Sequence, residues 1–182
     1  MRRLAGSLVA SGALLSGAAA ELLTEGAREA PPFPSVKREH WIGEARTWGQ
    51  LRGRVVLLDV WTFGCVNCLR TLPWIRTVRE RYARQGLVVV GVHTPEFDHE
   101  RSREAVEAAV RTHNLDFPHF LDNDHAYWNA LGNHYWPTTY LVDRCGRIRT
   151  RHIGEVHAAE RSGRALEAEI ESLLAEAPEA CS

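Results

Sequence analysis

Val55-Val56-Leu57-Leu58-Asp59-Val60-Trp61-Thr62-Phe63-Gly64-Cys65-Val66-Asn67-Cys68 is the stretch on which the fold turns. Its first half is a continuous apolar, β-branched run, which predicts a buried central strand over 55–61. Leu51-Arg52-Gly53-Arg54 supplies the turn before it. Its second half opens a segment with Leu69, Leu72, Ile75, Val78 and Tyr82 near helical spacing. That predicts a helix over about 66–83, which Pro73 is expected to kink. Gln85-Gly86 ends it, and Leu87-Val88-Val89-Val90-Gly91-Val92 predicts a second buried strand. Together these make a β-α-β unit with a parallel pair and a right-handed crossover.

Further along, residues 101–113 read as a helix with Ala105, Val106, Ala109 and Val110 facing in. A short extended piece is expected over 117–121 and a short helix over 126–131. Trp136-Pro137-Thr138-Thr139-Tyr140-Leu141-Val142 enters another strand, which turns at 143–147 and pairs back antiparallel over 148–153. A last amphipathic helix, 158–177, turns Leu166, Ile170, Leu173 and Leu174 inward. The order predicts an α/β fold, a central mixed sheet with helices on both faces.

With 182 residues the chain has room for one domain and one substantial core. A formal net charge of −1, with arginines interspersed among acids, gives no basic surface for nucleic acid. Four cysteines are too few for a disulfide-stapled scaffold. The chain opens with Arg2-Arg3, an uncharged stretch from Leu4 to Leu15 and a small-residue Ala18-Ala19-Ala20 end. Residues 1–20 therefore read as an export signal or an N-terminal anchor, cleaved after Ala20 if a signal, which places the protein in the periplasm or on the outer face of the cytoplasmic membrane. Residues 21–45, with Pro31-Pro32-Phe33-Pro34, read as a linker, and 46–178 as the folded domain.

Cys65 and Cys68 carry the chemistry. Three residues apart at the first turn of a helix, they share a face, and their sulfurs can close a short, redox-active disulfide. The free N–H groups and partial positive charge of the helix end favour a thiolate at Cys65, the species that attacks disulfides. Cys68 is then placed to resolve the mixed disulfide. A zinc site or a structural bridge would use the same residues, but no second cysteine pair or histidine pair at ligand spacing supports zinc. Asp59 is an acid inside an apolar strand, where a carboxyl is costly. Burial is expected to raise its pKa and fit it to exchange a proton with Cys68. Cys145, in a turn, and Cys181, in the tail, read as spare thiols, with a regulatory disulfide or metal attachment as alternatives.

The segment from Leu57 to Pro73 resembles the active-site segment of the thioredoxin fold. More narrowly it is similar to the TlpA-like redoxins and to the thioredoxin domain of DipZ-type cytochrome c biogenesis proteins. The similarity continues through Gly91-Val92-His93-Thr94-Pro95-Glu96-Phe97, Leu121-Asp122-Asn123-Asp124 and Tyr135-Trp136-Pro137-Thr138. It implies an extracytoplasmic thiol–disulfide oxidoreductase acting on protein thiols and disulfides, with no metal or organic cofactor. Cys65 corresponds to the nucleophile, Cys68 to the resolving thiol and Asp59 to the buried acid. Trp61 matches the aromatic beside the site. Pro137 matches a cis-proline that leaves the Trp136 backbone open to a substrate strand. Glu96 corresponds to an acid that tunes the cysteines, and His93 and His134 are secondary candidates near the site. Gly64 and Val66-Asn67 depart from the thioredoxin pattern, so the direction of exchange is not inherited from it. The membrane electron-conducting domain of DipZ-type proteins has no counterpart in this sequence, which implies a separate membrane protein as electron donor. A thiol peroxidase lacks an established motif here, and a copper chaperone of this fold would space its cysteines one residue wider.

Overall fold

The computed structural model describes residues 28–177. Seven strands form one mixed sheet: β1 (Arg28–Glu29), β2 (Trp41–Ile42), β3 (Val55–Trp61), β4 (Leu87–His93), β5 (His119–Leu121), β6 (Thr138–Val142) and β7 (Arg147–Ile153). Their spatial order is β1-β7-β6-β3-β4-β5-β2. β3, β4 and β5 run parallel, and the outer strands are antiparallel to their neighbours. Among the described residues there are five α-helices: α1 (Trp48–Leu51), α2 (Val66–Tyr82), α3 (Arg103–Thr112), α4 (Ala126–Leu131) and α5 (Arg161–Ala175).

Strand alternation splits the interior into two cores. Val55, Leu57 and Trp61 face α2 and α5, meeting Leu72, Ile75, Val78, Leu166 and Ile170. Val56, Leu58 and Val60 face the other way, onto Leu51 of α1 and Tyr127 and Leu131 of α4. Every residue of β3 is buried, as its unbroken apolar run requires. Helix α2 continues through Pro73, and Gly86, at φ +109, turns the chain from the end of that helix region into β4.

The stretch expected as a linker is part of the fold from Arg28 onward. β1 pairs with β7, β2 pairs with β5, and Phe33 sits among Trp41, Trp48, Phe120 and Tyr127. Aromatic burial overrides the extended Pro-rich backbone, which packs as an ordered strap. The expected export segment, residues 1–20, lies outside the described residues, as does Cys181. Cys145 is disulfide-bonded, which corrects its reading as a spare thiol. Among the described residues no helix is long and apolar enough to cross a membrane.

Candidate active site

Cys65 stands at the junction of β3 and α2 and caps the helix itself. Its Sγ accepts the Cys68 N–H at 3.3 Å, taking the place usually filled by a Ser, Thr or Asp oxygen. Cys65 is partly exposed, whereas Cys68, one turn on, is 1% exposed. The two thiols are driven apart in acidity. A hydrogen bond from the Cys68 thiol, joined by the Cys68 and Asn67 N–H groups, outweighs burial and pulls Cys65 down to about 7. Burial, then the Cys65 interaction, pushes Cys68 far up. A reactive thiolate at the surface thus sits over a protonated thiol beneath it.

Asp59 lies under the pair on the α2 side of the sheet, level with Gly91 on β4 and Thr139 on β6. It is 1% exposed, and neither carboxyl oxygen has a hydrogen-bond partner among the described protein atoms. Burial, then the charge of Cys65, raises its pKa to about 8. Asp59 and Cys68 feel each other electrostatically. The carboxyl is therefore poised to trade a proton near neutral pH.

Trp61 is fully buried two residues on along the same face. Its indole N–H donates to His119 Nδ1 at 3.3 Å, and His93 meets its ring edge-on at 5.3 Å. The Trp136–Pro137 bond is cis. Pairing of Val60 with Thr138 puts Pro137 one residue further along, level with Trp61 at the cysteine end of the sheet. Trp136 is anchored by its indole N–H on the Thr94 carbonyl at 3.0 Å and by Trp128, 4.1 Å between ring centres. Glu96 is exposed, yet near enough for its negative charge to oppose the Cys65 thiolate.

Of the secondary candidates, His93 is buried and burial holds it down at about 4, so at neutral pH it is an uncharged packing and hydrogen-bonding group. His134 is exposed on the segment before Trp136. Two residues that pack at the site were not among the sequence candidates, His119 and Glu100. His119 had a usable signal, an ionisable residue inside the apolar run 117–121, the same argument that singled out Asp59. Burial holds it down at about 3, and its ring lies over Gly91, where any β-carbon would collide with it.

The chain is similar to known proteins in sequence and in fold. The Redoxin family model matches residues 28–166. Protein DipZ of Mycobacterium bovis is 40% identical over 105 residues, 58% of this chain, and the match spans 15% of that protein's length. The thiol-disulfide oxidoreductase YkuV of Bacillus subtilis is 31% identical over 120 residues, covering 65% of this chain and 80% of that protein. A solved thioredoxin-like protein in its oxidised form is 27% identical, with a TM-score of 0.68 over 81% of this chain and 96% of its own. A putative thiol:disulfide interchange protein DsbE from Chlorobium tepidum shares the fold at TM-score 0.69 and 24% identity, over 81% of this chain and 96% of its own.

Proposed function

The chain belongs to the Redoxin family and is a thiol–disulfide oxidoreductase of thioredoxin-like fold, and from that premise we propose that Cys65 and Cys68 carry the exchange, Cys65 attacking and Cys68 resolving. The observation that carries this reading is the split between the thiols: Cys65 partly exposed with a lowered pKa, Cys68 buried with a raised one.

In the reducing direction the Cys65 thiolate attacks one sulfur of a substrate disulfide. A Cys65–substrate disulfide forms, and the substrate's other sulfur leaves as a thiolate. Asp59 takes the Cys68 proton, and the Cys68 thiolate attacks Cys65 Sγ. The second substrate thiolate leaves, and the chain keeps the Cys65–Cys68 disulfide, having given up two electrons. Glu96 tunes Cys65 through its charge. Trp61 and Pro137 shape the surface beside the pair, and the Trp136 backbone receives an extended substrate segment. Val66, Phe97 and Tyr135 are exposed apolar residues next to Cys65, Glu96 and Trp136, which suits a protein partner.

The reaction is assigned to the outside of the cytoplasmic membrane, supported by the charged, apolar and small-residue pattern of residues 1–20. Protein cysteine pairs, such as those of an apocytochrome c, are its substrates, and a separate membrane protein returns the electrons. The likeness to the DipZ domain supports both. The test is a reduced Cys68→Ser chain incubated with insulin. A covalent adduct on Cys65 is expected to accumulate, while the intact pair turns over and accumulates none. Equal trapping by Cys65→Ser, or none by either variant, would remove the assignment.

A further inference from the structure

Glu100 is a fully buried carboxylate that the exchange chemistry does not use. It lies in the short turn Asp98–Arg101, and its two oxygens face different segments of the site. Oε2 accepts the backbone N–H groups of Glu96, at 2.6 Å, and Phe97, at 3.0 Å. Oε1 makes no hydrogen bond among the described residues and packs against Gly64, the residue before Cys65. A β-carbon built there would collide with it and stand 3.2 Å from Cδ. The missing β-carbon of Gly64 is thus the space the carboxylate occupies. One side chain spans the loop that bears the tuning acid and the turn that bears the nucleophile.

We propose that Glu100 is a positioning residue: its buried carboxylate clasps the Glu96 loop against the Gly64–Cys65 turn and so fixes the separation of the Glu96 charge from the Cys65 sulfur. The inference rests on Cys65 being the attacking thiol. Burial by itself would raise the Glu100 carboxyl, but the Phe97 and Glu96 N–H groups, which bond its Oε2, lead the polar neighbours that outweigh it and hold it below the ordinary glutamate range. The clasp therefore stays charged and closed at neutral pH. The titratable groups facing Cys65 are Cys68 on α2, Asp59 on β3 and Glu96 on the loop. His93 on β4 faces Glu100 and is neutral there.

The test measures how much of the Cys65 reactivity Glu96 controls, with and without the clasp. The rate of iodoacetamide labelling at Cys65, read by peptide mass spectrometry at about pH 6, is compared between chains that keep Glu96 and chains that carry Glu96→Gln. In the otherwise native chain Glu96→Gln is expected to speed labelling about two- to threefold, as removal of one nearby negative charge would. In a Glu100→Ala background that ratio is expected to fall to about one, and Glu100→Gln, which keeps an oxygen for both N–H groups, to restore most of it. A ratio unchanged by Glu100→Ala, or no effect of Glu96→Gln in the native chain, overturns the proposal. Hydrogen exchange on the unaltered protein covers the case in which Glu100→Ala does not fold. The Glu96 and Phe97 amides are expected to exchange at least about tenfold slower than unprotected ones, although both residues are exposed. Unprotected exchange also overturns the clasp. Labelling that reaches Cys68 before Cys65 would instead overturn the assignment of the attacking thiol, and leaves the exchange result to decide the clasp separately.

Discussion

At Asp59 the chain holds a carboxyl where no protein donor reaches it, and the consequence is a pH-dependent loss of stability. Its folded pKa is about 8 against an ordinary value of 3.8, burial being the larger cause and the Cys65 charge the smaller. The folded chain keeps this proton after the unfolded chain has released it. Stability that is fully present below about pH 4 is therefore lost as pH rises toward about 8. At pH 7 the loss approaches ~4 kcal/mol. Asp59→Asn is expected to recover most of that in urea unfolding at pH 7 and almost none at about pH 3.5. The same substitution is expected to slow resolution of the Cys65 mixed disulfide by roughly ten- to a hundredfold, since Cys68 loses its proton acceptor. Equal stabilisation at both pH values would show that the buried charge is not the cause. The residue scale is also where the sequence was most informative about chemistry. A carboxyl in an apolar run and two cysteines three apart are visible without coordinates, because each breaks a local rule. Glu100 breaks none. Four residues after Glu96 in a polar loop it looks solvated, and its burial is decided by Gly64, more than thirty residues away in the chain.

At the scale of elements, β3, β4 and α2 were legible because continuous apolar runs and helical spacing are bounded by turn residues. The start of the last helix, expected at 158, falls at Arg161, because the backbone is still extended at Glu160. The two-residue strands β1 and β2 were not legible, because two residues display no period and their pairing depends on β7 and β5. Element packing also sets the orientation of Trp61. Gly91 on β4 leaves room for the His119 ring from β5, and that ring receives the Trp61 indole N–H. Gly91→Ala drives a β-carbon into the imidazole, so it is expected to destabilise the fold by about 2 kcal/mol or more. It should also shift tryptophan emission as the indole loses its acceptor. A variant as stable as the parent, with unchanged emission, would show that the His119–Trp61 contact does not order this face.

At the scale of the whole molecule, the sheet is a partition with a core on each side, and its cysteine end is where three separate segments converge. β3 delivers Asp59 and Trp61, the loop after β4 delivers Glu96, and the entry to β6 delivers Trp136 and Pro137. Only the parallel β-α-β unit among these could be assembled from sequence pattern alone. The N-terminal strap closes the opposite core: Phe33 stacks on Tyr127 at 4.7 Å and on Trp48 at 5.6 Å. Its prolines suggested a spacer, whereas Phe33 and Trp41 were the residues that marked it as core. A fold of this kind makes the two thiols unequal by placing one at the helix end and one beneath it. The measurement that tests this most directly is alkylation of the reduced protein across pH, with Cys65 and Cys68 quantified separately by peptide mass spectrometry. Cys65 is expected to label with a midpoint of about 7, while Cys68 stays unmodified up to about pH 9. Labelling of Cys68 at the same or lower pH than Cys65 would contradict the account.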